Sequence, residues 1–119
     1  MEYTLQSKSV SQKINKFNNS KTNYVFEISQ ENYNTLVGDF NNIGEENLKL
    51  PVFGYDSEME EKKQKLMGQD RPLLMATTIV DEKKSFIFKK DEVYNVTFLF
   101  KYYDFNGKKG ISCKITNIE

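Results

Sequence analysis

The sequence predicts a mainly β fold, a small barrel of five curved strands with a helical insertion between the second and the third. Three observations carry this. Apolar and polar residues alternate over 93–105 and over 111–116, and Asn106-Gly107, a strong hairpin turn pair, lies between the two runs. Two further β-type segments, 3–17 and 24–28, flank the turn-rich run Asn18-Asn19-Ser20-Lys21-Thr22. From 29 to 70 the apolar spacing becomes helical. At 119 residues the chain fits one domain, 1–119, with 29–70 as its insertion.

The first strand is polar, with Leu5, Val10 and Ile14 facing inward and Ser9, Ser11, Lys13 and Asn15 facing out. Tyr24, Phe26 and Ile28 share one face of the second. Tyr33, Leu36, Val37 and Phe40 stand at i, i+3, i+4 and i+7, the stripe of a short helix after Ser29. Leu48 to Tyr55 reads as extended chain interrupted by Pro51 and Gly54. Ser57-Glu58-Met59-Glu60 is a capping box, followed by Lys62, Lys63 and Lys65 and stopped by Gly68, which predicts a second helix.

The last third is β. Leu73–Val80 is a strand, Asp81–Lys84 a turn, Ser85–Phe88 a short strand and Lys89–Glu92 another turn. Val93–Phe105 is long, with Tyr94, Val96, Phe98, Phe100 and Tyr102 on one face. Asn95, Thr97, Leu99, Lys101, Tyr103 and Phe105 take the other. The returning strand turns Ile111, Cys113 and Ile115 inward. Few, long, strongly curved strands suit a five-stranded Greek-key barrel of the OB type better than a sandwich.

Composition removes most chemistry. There is no His, hence no His-based triad or imidazole proton shuttle. The lone Cys113 cannot form an internal disulfide or a Cys₄ metal site, and on an inward strand face it is a small core residue in a reducing compartment. No apolar run reaches the roughly 18 residues of a membrane span. Glu58, Glu60 and Glu61 cluster, but at a helix N-terminus whose dipole already accounts for them. Gly107-Lys108-Lys109-Gly110 lacks the spacing of a phosphate loop. The chain reads as a non-enzyme without cofactor or metal.

Charge points to binding. The total is zero, with 17 basic and 17 acidic side chains. By segment the balance is different. Four lysines against Glu2 leave residues 1–24 at +3; nine acids against Lys49 leave 25–61 at −8; twelve bases against seven acids leave 62–119 at +5. On the last hairpin, Tyr103 and Phe105 alternate with Lys101, and Lys108, Lys109 and Lys114 follow. On the first hairpin, Lys13, Lys16, Phe17 and Lys21 repeat the pattern. Rings that stack on unpaired bases and ammonium groups that neutralise phosphates are what a single-stranded nucleic acid requires. An OB barrel would flank one groove with both hairpins and keep the acidic middle away from it.

The order of these features resembles a family. Pro72-Leu73-Leu74-Met75 through Thr78-Ile79-Val80-Asp81, then Val93-Tyr94-Asn95-Val96 and the closing Gly107–Ile118, resemble the C-terminal half of small phage single-stranded-DNA-binding proteins. With its length and its bias to Lys and Asn, the chain is similar to the early-expressed members from lactococcal tailed phages. The likeness is carried by 71–119, less closely by 1–30, and not by 31–70. It implies an OB fold, sequence-tolerant binding to single-stranded DNA, and a role in phage DNA replication and recombination in the host cytoplasm. It also implies a partner recombinase and a homo-oligomer, in the first place a dimer. The chain ends at Asn117-Ile118-Glu119 without the acidic tail of bacterial relatives, so partners are expected on the body of the domain. The competing expectation is a protein-interaction module that inhibits a host enzyme through the acidic segment 25–61.

Overall fold

In the computed structural model the described residues are 1–14, 22–54, 72–79 and 86–119. The fold is mainly β: a curled antiparallel sheet, barrel-like in its curvature, with one short helix among the described residues. Its strands are β1 (Glu2–Ile14), β2 (Thr22–Glu27), β3 (Val52–Phe53), β4 (Leu73–Ala76), β5 (Thr78–Ile79), β6 (Val93–Phe105) and β7 (Lys108–Ile118). The helix α1 (Gln30–Asn41) follows β2. The hydrogen-bonded order is β3-β4-β2-β1-β6-β7-β5, antiparallel throughout except for β5 beside β7.

The expected strand 73–80 is divided at Thr77, which corrects the five-strand count. Leu73–Ala76 pairs with β2, with Tyr24 opposite Ala76. The Thr77 N–H then donates to the Cys113 carbonyl at 3.0 Å, and Thr78 and Ile79 pair with Lys114 and Ile115 of β7. One residue thus joins the β2 side of the sheet to the β7 side and holds the curl. A short strand at 52–53 adds to the edge of β4.

The core is aromatic. Phe26, Phe98, Phe100 and Phe40 are fully buried, together with Leu36, Leu74, Val96, Cys113 and Ile115. Phe26 meets Phe98 edge-on at 5.5 Å, and Phe40 of the helix meets Phe100 at 5.3 Å, the tilted geometry that ring quadrupoles favour. Helix α1 starts where Ser29 caps it by accepting from the Asn32 N–H, and lays Leu36 and Phe40 on the sheet. The Tyr3 hydroxyl donates to Asp39 and ties the helix to β1.

Several expectations change. Ser9 is buried rather than exposed, in phase with the inward Leu5 and Ser7, and the alternation of β1 breaks just after it, at a bulge between Ser9 and Ser11. Val10 then joins Val25, Leu73, Phe53 and Met75 in a second apolar cluster, apart from the main core. Beside Thr97 and Phe98 the extra residue is Thr116 of β7, while β6 keeps its alternation: Val96 and Phe98 face the core, and Thr97 is covered on the other face, where its hydroxyl meets that of Thr4. Residues 86–88 belong to no strand; the buried Phe88 sits edge-on to Phe26, Tyr24 and Tyr94 instead. The expected helix at 57–67 and the turn at 81–84 lie outside the described residues.

Candidate nucleic-acid interface

The β6–β7 hairpin forms as its turn residues dictate. Asn106 and Gly107 have φ of 51° and 78°, the left-handed pair of a two-residue turn whose twist matches the strands. Phe105 then lies opposite Lys108, Tyr103 opposite Gly110, and Lys101 opposite Ser112. From Lys101 to Lys108 every residue is exposed, so the hairpin runs on beyond the core and both of its faces are open. Tyr102, expected inward, is therefore 39% exposed.

Opposed residues of an antiparallel pair share a face. Lys101, Tyr103, Phe105 and Lys108 thus stand on one face, and so does Lys114, opposite Leu99. Phe105 is 72% exposed, the most open ring of the hairpin. Tyr103 is less free. Its ring lies over Gly110, where an added Cβ would meet the phenol and the Lys49 carbonyl. Gly110 has to stay small for both to approach.

Lys109 departs from the expectation. It stands opposite Asp104, on the other face, and its Nζ donates to Glu45 Oε2 at 3.0 Å. The carboxylate holds the ammonium pKa above its ordinary value, chiefly through this hydrogen bond. Glu45 belongs to the acidic middle of the chain, which therefore touches the hairpin rather than lying away from it. The same loop adds a backbone bridge: Lys49 N–H donates to Lys109 O at 3.1 Å, and Ile111 N–H to Lys49 O at 2.9 Å. The Tyr102 hydroxyl pKa is raised, first by desolvation and then by Glu45 and Asp104.

Lys13 is exposed but is not brought to this face. Because β1 is antiparallel to β6, Glu2 lies beside Leu99 and Lys8 beside Val93, and Lys13 continues away from the hairpin. Lys16, Phe17 and Lys21 lie outside the described residues. The sequence reading missed a groove of about 240 Å³ beside Tyr103, walled by Leu50, Pro51, Phe53, Met75 and Ile111. The signal available was the apolar run through Leu48, Leu50, Val52 and Phe53, whose position against β7 is set by the Lys49 bridge.

Burial pushes the Cys113 thiol pKa up, and the side chain is enclosed in the core. Among the described residues no three potential metal ligands gather, and no helix is long and apolar enough to cross a membrane. No protein-family model, no curated protein and no solved structure matches this chain.

Proposed function

We propose that the protein binds single-stranded DNA without strong sequence preference, using the Lys101-Tyr103-Phe105-Lys108-Lys114 face of the projecting hairpin. The observation that carries the reading is Phe105: a large ring 72% exposed on an open strand, flanked on its own face by lysines. An exposed ring of this kind offers a base a stacking surface, worth about 1–3 kcal/mol per base. The apolar groove beside Tyr103 extends the surface towards β3 and β4. Sheet connectivity supports an OB-type reading of the curl, since the 73–79 segment pairs antiparallel with β2 and parallel with β7. A role in phage replication and recombination, with a recombinase partner, belongs to the same proposal.

The test is a fluorescence titration with poly(dT) at several salt concentrations. Binding should weaken with salt, and Phe105→Ala should weaken it by about 1–3 kcal/mol while circular dichroism stays unchanged. Lys101→Ala, Lys108→Ala and Lys114→Ala should each lower the salt slope by roughly 0.7, the single-strand value per phosphate contact. Lys109→Ala should lower it less, because that ammonium is already held by Glu45 on the opposite face. Absence of binding at micromolar protein, or binding indifferent to salt, refutes the reading.

A further inference from the structure

The outer edge of β7 is covered in two places, with one opening between them. At the hairpin end it is covered by Lys49, whose N–H donates to the Lys109 carbonyl and whose carbonyl accepts from the Ile111 N–H. Further along it is covered by Thr77, whose N–H donates to the Cys113 carbonyl, and then by β5. The Lys49 bridge is parallel. The next bonds of such a ladder would run from the N–H of residue 51 to the Ile111 carbonyl, and from the Cys113 N–H to the carbonyl of residue 51. Residue 51 is a proline. It has no N–H, and its carbonyl is turned away to accept from the Met75 N–H at 2.7 Å. The Ile111 carbonyl and the Cys113 N–H are left facing the opening, and among the described residues nothing bonds to either. Both residues line the apolar groove of about 240 Å³ beside Tyr103.

We propose that this opening is a slot for one unstacked base of the bound strand, which enters edge-on and takes both backbone groups. The inference rests on the single-stranded-DNA reading above and adds to it a place where a base is held by its edge rather than by its face. The chemistry of the opening selects the guest. An acceptor and a donor left unmatched between apolar walls cost stability until each finds a partner. The guest must therefore carry an N–H beside an acceptor, and every base does so on its Watson–Crick edge. A slot of this kind is compatible with binding that tolerates any sequence. In thymine the N3–H donates to the Ile111 carbonyl, and a ring carbonyl accepts from the Cys113 N–H. An added β-strand does not fit. The opening is one residue long, beside Ser112, and Lys49 and Thr77 already occupy the edge on either side of it. A flat ring passes instead between Leu50 and Pro51 on one wall and Met75 on the other. Lys49 is exposed at the rim, where its ammonium can neutralise the phosphate of the inserted nucleotide.

The probe is a thymidine oligonucleotide, compared with the same oligonucleotide built from N3-methylthymidine throughout. The methyl group removes the N3–H and leaves the ring face, the phosphates and the charge as they were. Fluorescence titration should find the methylated strand bound at least about ten-fold more weakly, with the same salt slope. Phe105→Ala should weaken both strands by the same factor, because stacking does not use the N–H. Met75→Trp fills the groove and should bind the two strands equally, with the circular dichroism of the parent. Leu50→Trp closes the slot from the opposite wall and replaces it if Met75→Trp does not fold. Amide NMR gives a readout independent of affinity: the Cys113 N–H should move downfield when the thymidine strand saturates the protein. A parent chain that binds neither strand overturns the DNA reading and the slot with it. A parent chain that binds both strands equally leaves the DNA reading standing and overturns the slot alone. So does a Cys113 amide that stays in place at saturation.

Discussion

At the residue scale, Cys113 shows how burial alone sets chemistry. Its side chain is 1% exposed, opposite Phe100 on the neighbouring strand, and desolvation disfavours the thiolate. The folded pKa lies above the unfolded one, near 8.5. Its contribution to stability is therefore complete below that value and declines as pH rises past it, because only the unfolded chain then releases the proton. Urea midpoints should fall between roughly pH 8 and pH 10, and a Cys113→Ala variant should lose that part of the decline. The native thiol should also resist a disulfide reagent that reacts at once with the unfolded chain. This residue was legible in the sequence: an apolar alternation fixes which way it points. Lys109 was not. Its neighbours in the chain are three exposed residues and a glycine, and the group that captures it, Glu45, is 64 positions away.

At the element scale, helix α1 depends on two side chains. Leu36 and Phe40 are fully buried, while Tyr33 and Val37 pack at the margin. Phe40 lies edge-on to Phe100, so Phe40→Ala removes a ring from a filled core and should cost about 3–5 kcal/mol. Thermal or urea unfolding measures it. The helix, β6 and the Asn106-Gly107 turn could be read from the sequence because each rests on local spacing or turn chemistry. The division of 73–80 could not. Thr77 is where the strand changes partner from β2 to β7, and that choice is made by distant residues. The two bulges escaped for the same reason. At Ser9 the N–H donates to the Glu92 carbonyl at 2.9 Å, which carries the β1–β6 ladder one pair past Lys8 and Val93, while the extra residue Val10 is taken up on the side facing β2.

At the scale of the molecule, the sheet is held in its curl by few bonds. Thr77 offers its N–H at 3.0 Å and its hydroxyl at 3.4 Å to the same Cys113 carbonyl. Thr77→Pro removes both donors and leaves the part-buried Cys113 carbonyl without them. It should destabilise the whole chain by at least about 1–3 kcal/mol. Because β4 and β5 belong to opposite sides of the sheet, the loss should appear in a single cooperative transition rather than as local fraying. Hydrogen exchange at β2 and β7 would show both accelerating together.

The pairing of β1 with β6 has a consequence for how the chain reaches this state. Glu2 lies beside Leu99, and the Met1 backbone is bonded to Phe100 across 99 positions of sequence. The centre of the sheet therefore joins parts of the chain that lie far apart in sequence. The β6–β7 and β1–β2 pairs and helix α1 can form from local contacts, but the two pairs become one sheet only when β1 meets β6. Closing a loop of that length comes before any of its contacts can repay the entropy. Folding should then be paced by this one encounter, on the millisecond-to-second scale of non-local β topologies.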